Sequence, residues 1–176
     1  MTTDNHGLDQ AKAQAESITA MVAALTCDYN RLQELRDERA DLASAAEDPE
    51  SEDETAQALQ ALAQWDDEHA EELNTLEHEA GDCADEDEAR NRIQEDALSV
   101  EVRSGWDVVG GDLSAAEFRI VLCTGGPHVE IVGELSSEQP CRAWLQYQDW
   151  GAPMTRFFDV EESTLLAYCQ EFYFES

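Results

Sequence analysis

Aromatic residues and carboxylates occupy different halves of this 176-residue chain. Eleven of its 13 aromatics lie after residue 100, and only Tyr29 and Trp65 precede it. Residues 41–96, by contrast, carry 21 acids against Arg90 and Arg92, a net charge of −19 in 56 residues. One core cannot be built from residues so divided. The chain therefore predicts two modules: an acidic helical one over 1–97 and a sheet-forming one over 98–176. The first is rich in Ala, Leu, Gln and Glu. The second is aromatic and β-branched, with glycine pairs at Gly110-Gly111 and Gly125-Gly126.

Spacing within the first module predicts helices. Ala11, Ala15, Ile18, Val22, Leu25, Tyr29 and Leu32 alternate steps of four and three, a heptad seam on one helix face. Leu35 and Leu42 continue it after a phase slip, which predicts one helix over about 8–46. Pro49, within AEDPESEDE, blocks continuation. Ser51 and Glu54 have the spacing of a capping box that opens a second helix over 53–80. Its seam is Leu59, Leu62, His69, Leu73, Leu76, Ala80 and Cys83, with Trp65 beside it and Gly81 as the stop. Two such helices joined by a short polar link predict an antiparallel, coiled-coil-like hairpin. A third helix is predicted over 84–97, with Ala89, Ile93 and Ala97 on one face.

The second module alternates with a period of two. Phe118, Ile120 and Leu122 predict one strand, Thr124–Pro127 a turn, and Val129, Ile131 and Gly133 the returning strand. A further strand is expected over Arg142–Trp150, an opening one over Ser99–Trp106 and a short edge strand over Met154–Phe158. Asp159 with Glu162 predicts the cap of a last helix bearing Leu165, Cys169 and Phe172. The fold class is α+β: an N-terminal helical hairpin and a small antiparallel sheet covered by a C-terminal helix.

Charge bounds the partners. The net charge of −31 opposes direct binding of nucleic acid or anionic lipid and favours a basic protein. No stretch approaches the ~20 apolar residues of a membrane span. The opening MTTDNHGLDQ lacks the pattern of a signal peptide. Five cysteines without close pairing fit reduced thiols in a cytoplasm. No cofactor or metal is expected, because Cys27, Cys83, Cys123, Cys141 and Cys169 form no C-x-x-C and His69 and His78 have no zinc-binding spacing. Asp82 and Asp85–Glu88 lack the spacing and the glycine of a calcium loop. Cys123 and His128 flank a hairpin turn and are the one nucleophile–base pair to consider. A small apolar cysteine in a core strand and a turn histidine on the solvent face are the simpler account of them, so no catalytic residue is assigned.

Two surfaces remain as partner-binding candidates. The first is acidic: Asp53, Glu54, Asp66, Asp67, Glu68, Glu71, Glu72, Glu77 and Glu79 on the second helix, with Asp85, Glu86, Asp87 and Glu88 after it. Nine carboxylates along that helix give roughly one charge per 4.7 Å at ~1.5 Å per residue. That is comparable with the ~3.4 Å charge spacing of one DNA strand. Carboxylates at i and i+4 repel. Reversing Asp66, Asp67, Glu71 and Glu72 to lysine is therefore expected to destroy binding while preserving or raising stability. The second surface is aromatic. Trp144 and Trp150 share a face of the predicted strand, opposite Leu145 and Tyr147, and become interface residues if no helix covers them.

The segments LSVEVRSGW, EFRIVLCTGGPHVEIVGEL, LQYQDWGAP and LLAYCQEFYF, with DEARNRIQED before them, resemble a family of small proteins of tailed phages and prophages. The likeness spans about residues 88–175. It implies a phage setting and transfers no active site. The acidity separately resembles that of phage DNA-mimic proteins that block restriction or CRISPR enzymes. Together these lead to an expected function: a non-enzymatic, phage-encoded inhibitor in the bacterial cytoplasm that binds a basic DNA- or RNA-binding host protein. The alternative is an oligomeric coiled-coil adaptor or assembly protein of a phage, a homodimer joined through the helical hairpin by Ile18, Val22, Leu25 and Leu32.

Overall fold

The computed structural model describes residues 5–47, 51–106, 108–109 and 114–174. The turn at Pro49 and the pair Gly110-Gly111 lie outside the described residues. The described chain forms helices α1 (His6–Thr26), α2 (Tyr29–Glu47), α3 (Glu52–Ala80), α4 (Glu86–Asp96) and α5 (Glu162–Cys169). Its strands are β1 (Ser99–Ser104), β2 (Ala115–Cys123), β3 (His128–Ser136), β4 (Gln139–Gln148) and β5 (Thr155–Arg156). The class is α+β. Two compact units divide it: Ala23–Glu86, and Met1–Val22 together with Asp87–Ser176. Residues 6–22 of α1 and 87–96 of α4 thus belong with the sheet, although their composition resembles the helical module.

The single helix expected over 8–46 is two helices. Asp28 breaks it, because its Oδ1 accepts the Arg31 backbone N–H at 3.0 Å, the bond of an N-cap residue to the first turn of a new helix. The buried stripe of α1 departs from the expected seam in its last turns. Met21 and Ala24 are buried, whereas Val22 and Leu25 are half-buried.

In the helical unit, α2 and α3 pack antiparallel. Trp65 Nε1 donates to Glu38 at 3.1 Å and the Cys27 thiol donates to the Leu76 carbonyl at 3.5 Å, so chain positions descend on one helix as they rise on the other. Leu32, Leu35, Trp65, Leu73 and Ala80 form the core. Burying such a side chain stabilises by about 1.5–3 kcal/mol. Leu59, expected in the seam, is 54% exposed, and Trp65 is buried within it. Both expected ends of α3 are present. Ser51 Oγ accepts the Glu54 N–H at 3.3 Å, and Gly81, at φ +57°, donates its N–H to the Glu77 carbonyl at 3.1 Å.

In the other unit the strands form an antiparallel meander in sequence order. Register places Val102, Phe118, Gly133 and Ala143 side by side, with Val100, Ile120, Ile131 and Leu145 in the next row. That face is the core, and α5 packs across β4 on it. The ring centroids of Phe118 and Phe174 lie 4.9 Å apart. Gly133 makes this packing possible: a Cβ there would stand 2.1 Å from the Arg142 carbonyl oxygen and 2.5 Å from the Phe118 ring.

Several expected boundaries shift. β4 ends at Gln148, so Trp150 lies in the following turn, and the edge strand β5 shrinks to two residues. Asp159 does not cap α5; Glu161 occupies the cap position without a side-chain bond. Glu162 is drawn to the sheet instead, accepting from Arg142 Nε at 2.9 Å and from the Ala143 N–H at 3.2 Å. In α5 the fully buried aromatic is Tyr168, while Phe172 beyond the helix end is half-buried.

Candidate protein-binding surfaces

The nine acids expected to form the acidic surface of the second helix do not form one stripe on α3. At 3.6 residues per turn, Trp65, Leu73, Leu76 and Ala80 fix the face turned to α2, and every other position follows. Asp66 and Glu77 fall on one flank of that face and Glu72 on the other. All three are bound by arginines of α2. Arg39 Nε meets Asp66 at 2.8 Å, Arg31 grips both Glu72 oxygens at 2.8 and 2.9 Å, and Arg36 Nε meets Glu77 at 3.2 Å. The Arg31 guanidinium holds the Glu72 carboxyl below its usual range, and Arg31 itself is pushed up by the same bond. These three acids are clamps of the hairpin, which sequence spacing placed in the binding surface. The expectation that reversing Asp66 and Glu72 would spare stability is corrected accordingly.

Asp53, Asp67 and Glu71 point away from α2. They are exposed and have no cationic partner among the described residues. Glu68 is exposed and accepts from Gln64 at 3.0 Å, Glu54 is exposed, and Glu79 is half-buried. The outward charge is therefore sparser than one DNA strand. Asp67 and Glu71 stand one turn apart, about 6 Å, and Asp53 lies some 21 Å below Asp67 at ~1.5 Å per residue. The run Asp85–Glu88 is the start of α4, where carboxylates oppose the positive helix end favourably. All four are exposed, and Asp87 bonds Arg90 one turn later at 3.0 Å.

The aromatic candidates are not one face either. Trp144 is half-buried on the side of the sheet away from α5. Arg156 lies 5.4 Å from its ring centroid and equally 5.4 Å from that of Phe158, which is 76% exposed. Trp150 is 82% exposed in its turn. Gln146 and Gln148 of the same strand serve the fold: Gln148 donates to the Ala152 carbonyl at 2.7 Å and Gln146 to Glu130 at 2.5 Å.

Sequence reasoning missed the open side of the sheet. There, register aligns Glu101, Arg119, Val132 and Trp144 in one row, and Arg103, Glu117, Glu134 and Arg142 in the next. Arg119 bonds Glu101 and Arg103 bonds Glu117, so opposite charges alternate across β1 and β2. Both members of the Arg119–Glu101 pair are shifted toward their charged forms by that bond. A groove of about 540 Å³ runs over these rows. At its floor Glu130 is only 4% exposed. It is tolerated because His128 Nε2 lies at 2.8 Å, Gln146 donates to it and Arg119 stands 3.9 Å away. The legible signal was Glu117 and Arg119 alternating with the apolar residues of β2.

The groups considered for nucleophilic chemistry are engaged apart. The Cys123 thiol donates to the Pro127 carbonyl at 3.5 Å, while His128 meets Glu130. Among the described residues, no three His, Cys, Asp or Glu side chains converge to hold a metal ion. No described helix is long and apolar enough to cross a membrane. Ile18 and Leu32, half of the expected oligomerisation seam, are fully buried within the chain's own fold. No protein-family model, curated protein or solved structure matches this chain.

Proposed function

We propose that this chain is a non-enzymatic, phage-encoded inhibitor that binds a basic, nucleic-acid-handling protein in the bacterial cytoplasm and occupies its phosphate-binding surface. One observation carries the reading. The unit Ala23–Glu86 holds 21 acids against three arginines, and all three arginines are spent between α2 and α3. The outward face keeps Asp53, Asp67 and Glu71 unrelieved, with Glu68 beside them. Helix stability alone would favour lysines among these positions. A basic partner supplies the missing cations.

The reading is tested by immobilising the chain in bacterial lysate at low salt. Proteins that bind nucleic acid are expected on the column, released by duplex DNA and by rising salt. The variant Asp67→Lys/Glu71→Lys is expected to retain none of them. Retained proteins that DNA does not displace, or that bind this variant equally well, overturn the proposal.

A further inference from the structure

We propose that two copies of this chain join β1 to β1 in antiparallel, about a two-fold axis at Val102, to make one continuous ten-stranded sheet. The sheet's two edges differ. β5 covers one edge with only two residues, the usual way of blunting an edge. β1 presents six residues and has no strand on its outer side among the described residues. Val100 and Val102 belong to the core face yet remain 37% and 41% exposed, and Leu98 and Trp106 at the strand's two ends are 61% and fully exposed. Val100 and Val102 lie on the core side of the strand by alternation, and Leu98 and Trp106 flank its ends.

The sequence of β1 is complementary to itself in one register. With the axis at Val102, Val102 faces Val102 of the second copy, Val100 faces Ser104, and Leu98 faces Trp106 beyond the strand end. On the other face Glu101 meets the second copy's Arg103, twice by symmetry. An axis at Glu101 or at Arg103 instead opposes like charges, and a one-residue slip sets apolar positions against charged ones. Pairing at Val102 also extends charge rows already present. Each Arg103 comes to lie between its own Glu117 and the second copy's Glu101, whose far side is bound by Arg119. The four residues nearest the junction then run Glu117, Arg103, Glu101, Arg119, with opposite charges alternating. The chain's overall charge of −31 opposes the contact, so association tightens as salt rises from low ionic strength, opposite to binding of a basic partner.

Sedimentation equilibrium of the full chain tests the proposal with Glu101→Arg and Arg103→Glu. Each substitution sets like charges against each other twice in its homodimer. Each is expected to weaken self-association by about tenfold or more. Mixed one to one, the two variants place arginines opposite glutamates throughout, and the dimer is expected to return. A second measurement reads register without altering charge. In a Cys141→Ser background, Val102→Cys is expected to form an intermolecular disulfide linking the two substituted positions, because directly opposed Cβ atoms lie about 4.5–5.5 Å apart. Val100→Cys is not, because its counterpart across the axis is Ser104. A wild-type chain that stays monomeric at high micromolar concentration overturns the proposal, whether the edge is bare or taken by another protein's strand. So does a folded pair of charge variants that fails to associate on mixing, or cross-linking at position 100 as readily as at position 102.

Discussion

The helical hairpin and the sheet both bind their arginines to acids, yet the bonds do different work. In the hairpin, Arg31, Arg36 and Arg39 reach from α2 to α3 and leave Asp53, Asp67 and Glu71 facing solvent. In the sheet, Arg103 and Arg119 lie among Glu101, Glu117 and Glu130, and opposite charges neutralise one another row by row. Excess charge in the hairpin is thus available to a partner, whereas charge on the sheet's open side is mostly internal. Net charge per residue does not separate these cases. What separates them is geometry: a helix distributes successive side chains around a cylinder, whereas strands set charges directly opposite each other.

The largest effect is expected where the sheet tolerates no added atom. Gly133→Val should cost about 4 kcal/mol or more, because its Cβ meets backbone at Arg142 and displaces the Phe118 ring. Thermal melting followed by circular dichroism measures it. A melting temperature near wild type would show that the two central strands are looser than described. The hairpin has a thinner core, and Trp65→Ala is expected to cost about 3 kcal/mol through the lost ring and the unpaired Glu38.

Tyr168→Phe is next, at about 1–2 kcal/mol, since it deletes the 2.7 Å bond donated to Asp96. Its pH dependence has a definite sign. Burial first, and then Asp96, push the Tyr168 hydroxyl far above its ordinary value of 10.0. The folded state therefore favours the neutral phenol. The wild-type advantage over Tyr168→Phe is complete below pH 10 and shrinks as pH climbs beyond it. An advantage that grows with alkalinity would contradict a buried, donating hydroxyl. Urea melts at a series of alkaline pH values decide the point.

The smallest effects sharpen the comparison most. Asp66→Lys/Glu72→Lys should lower the hairpin's melting temperature by a few degrees, whereas Asp67→Lys/Glu71→Lys should leave it unchanged or slightly raised. For binding of a basic partner the order reverses, the second pair being the more damaging. The Arg31–Glu72 contribution also has a pH window. Because Arg31 holds the Glu72 carboxyl below 4.5, its support is complete above that pH and fades as pH falls through the depressed value. Equal melting temperatures for the two double variants would remove the distinction between clamp and surface acids.

Local signals were well preserved in the sequence. Ser51 and Gly81 end α3 as their residue types demand, and the alternation around Phe118 and Ile131 gives the central strands in their register. These features depend on neighbours within a turn or a hairpin. The break at Asp28 was also local, but the heptad pattern masked it: a capping carboxylate competes with the helix for the same backbone N–H groups, and here the cap prevails.

The sequence by itself determined the α+β class, most helix and strand positions, and an acidic exterior for the helical half. The tertiary structure alone decided which acids are surface and which are clamps, because that depends on where Arg31, Arg36 and Arg39 arrive from another helix. It also decided that most of α1 and of α4 belongs with the sheet, and that Glu130 is buried beneath His128 and Gln146. Spacing along a chain specifies the faces of one element; partners drawn from distant elements are set only when those faces meet, since ion pairs and burial act over a few ångströms.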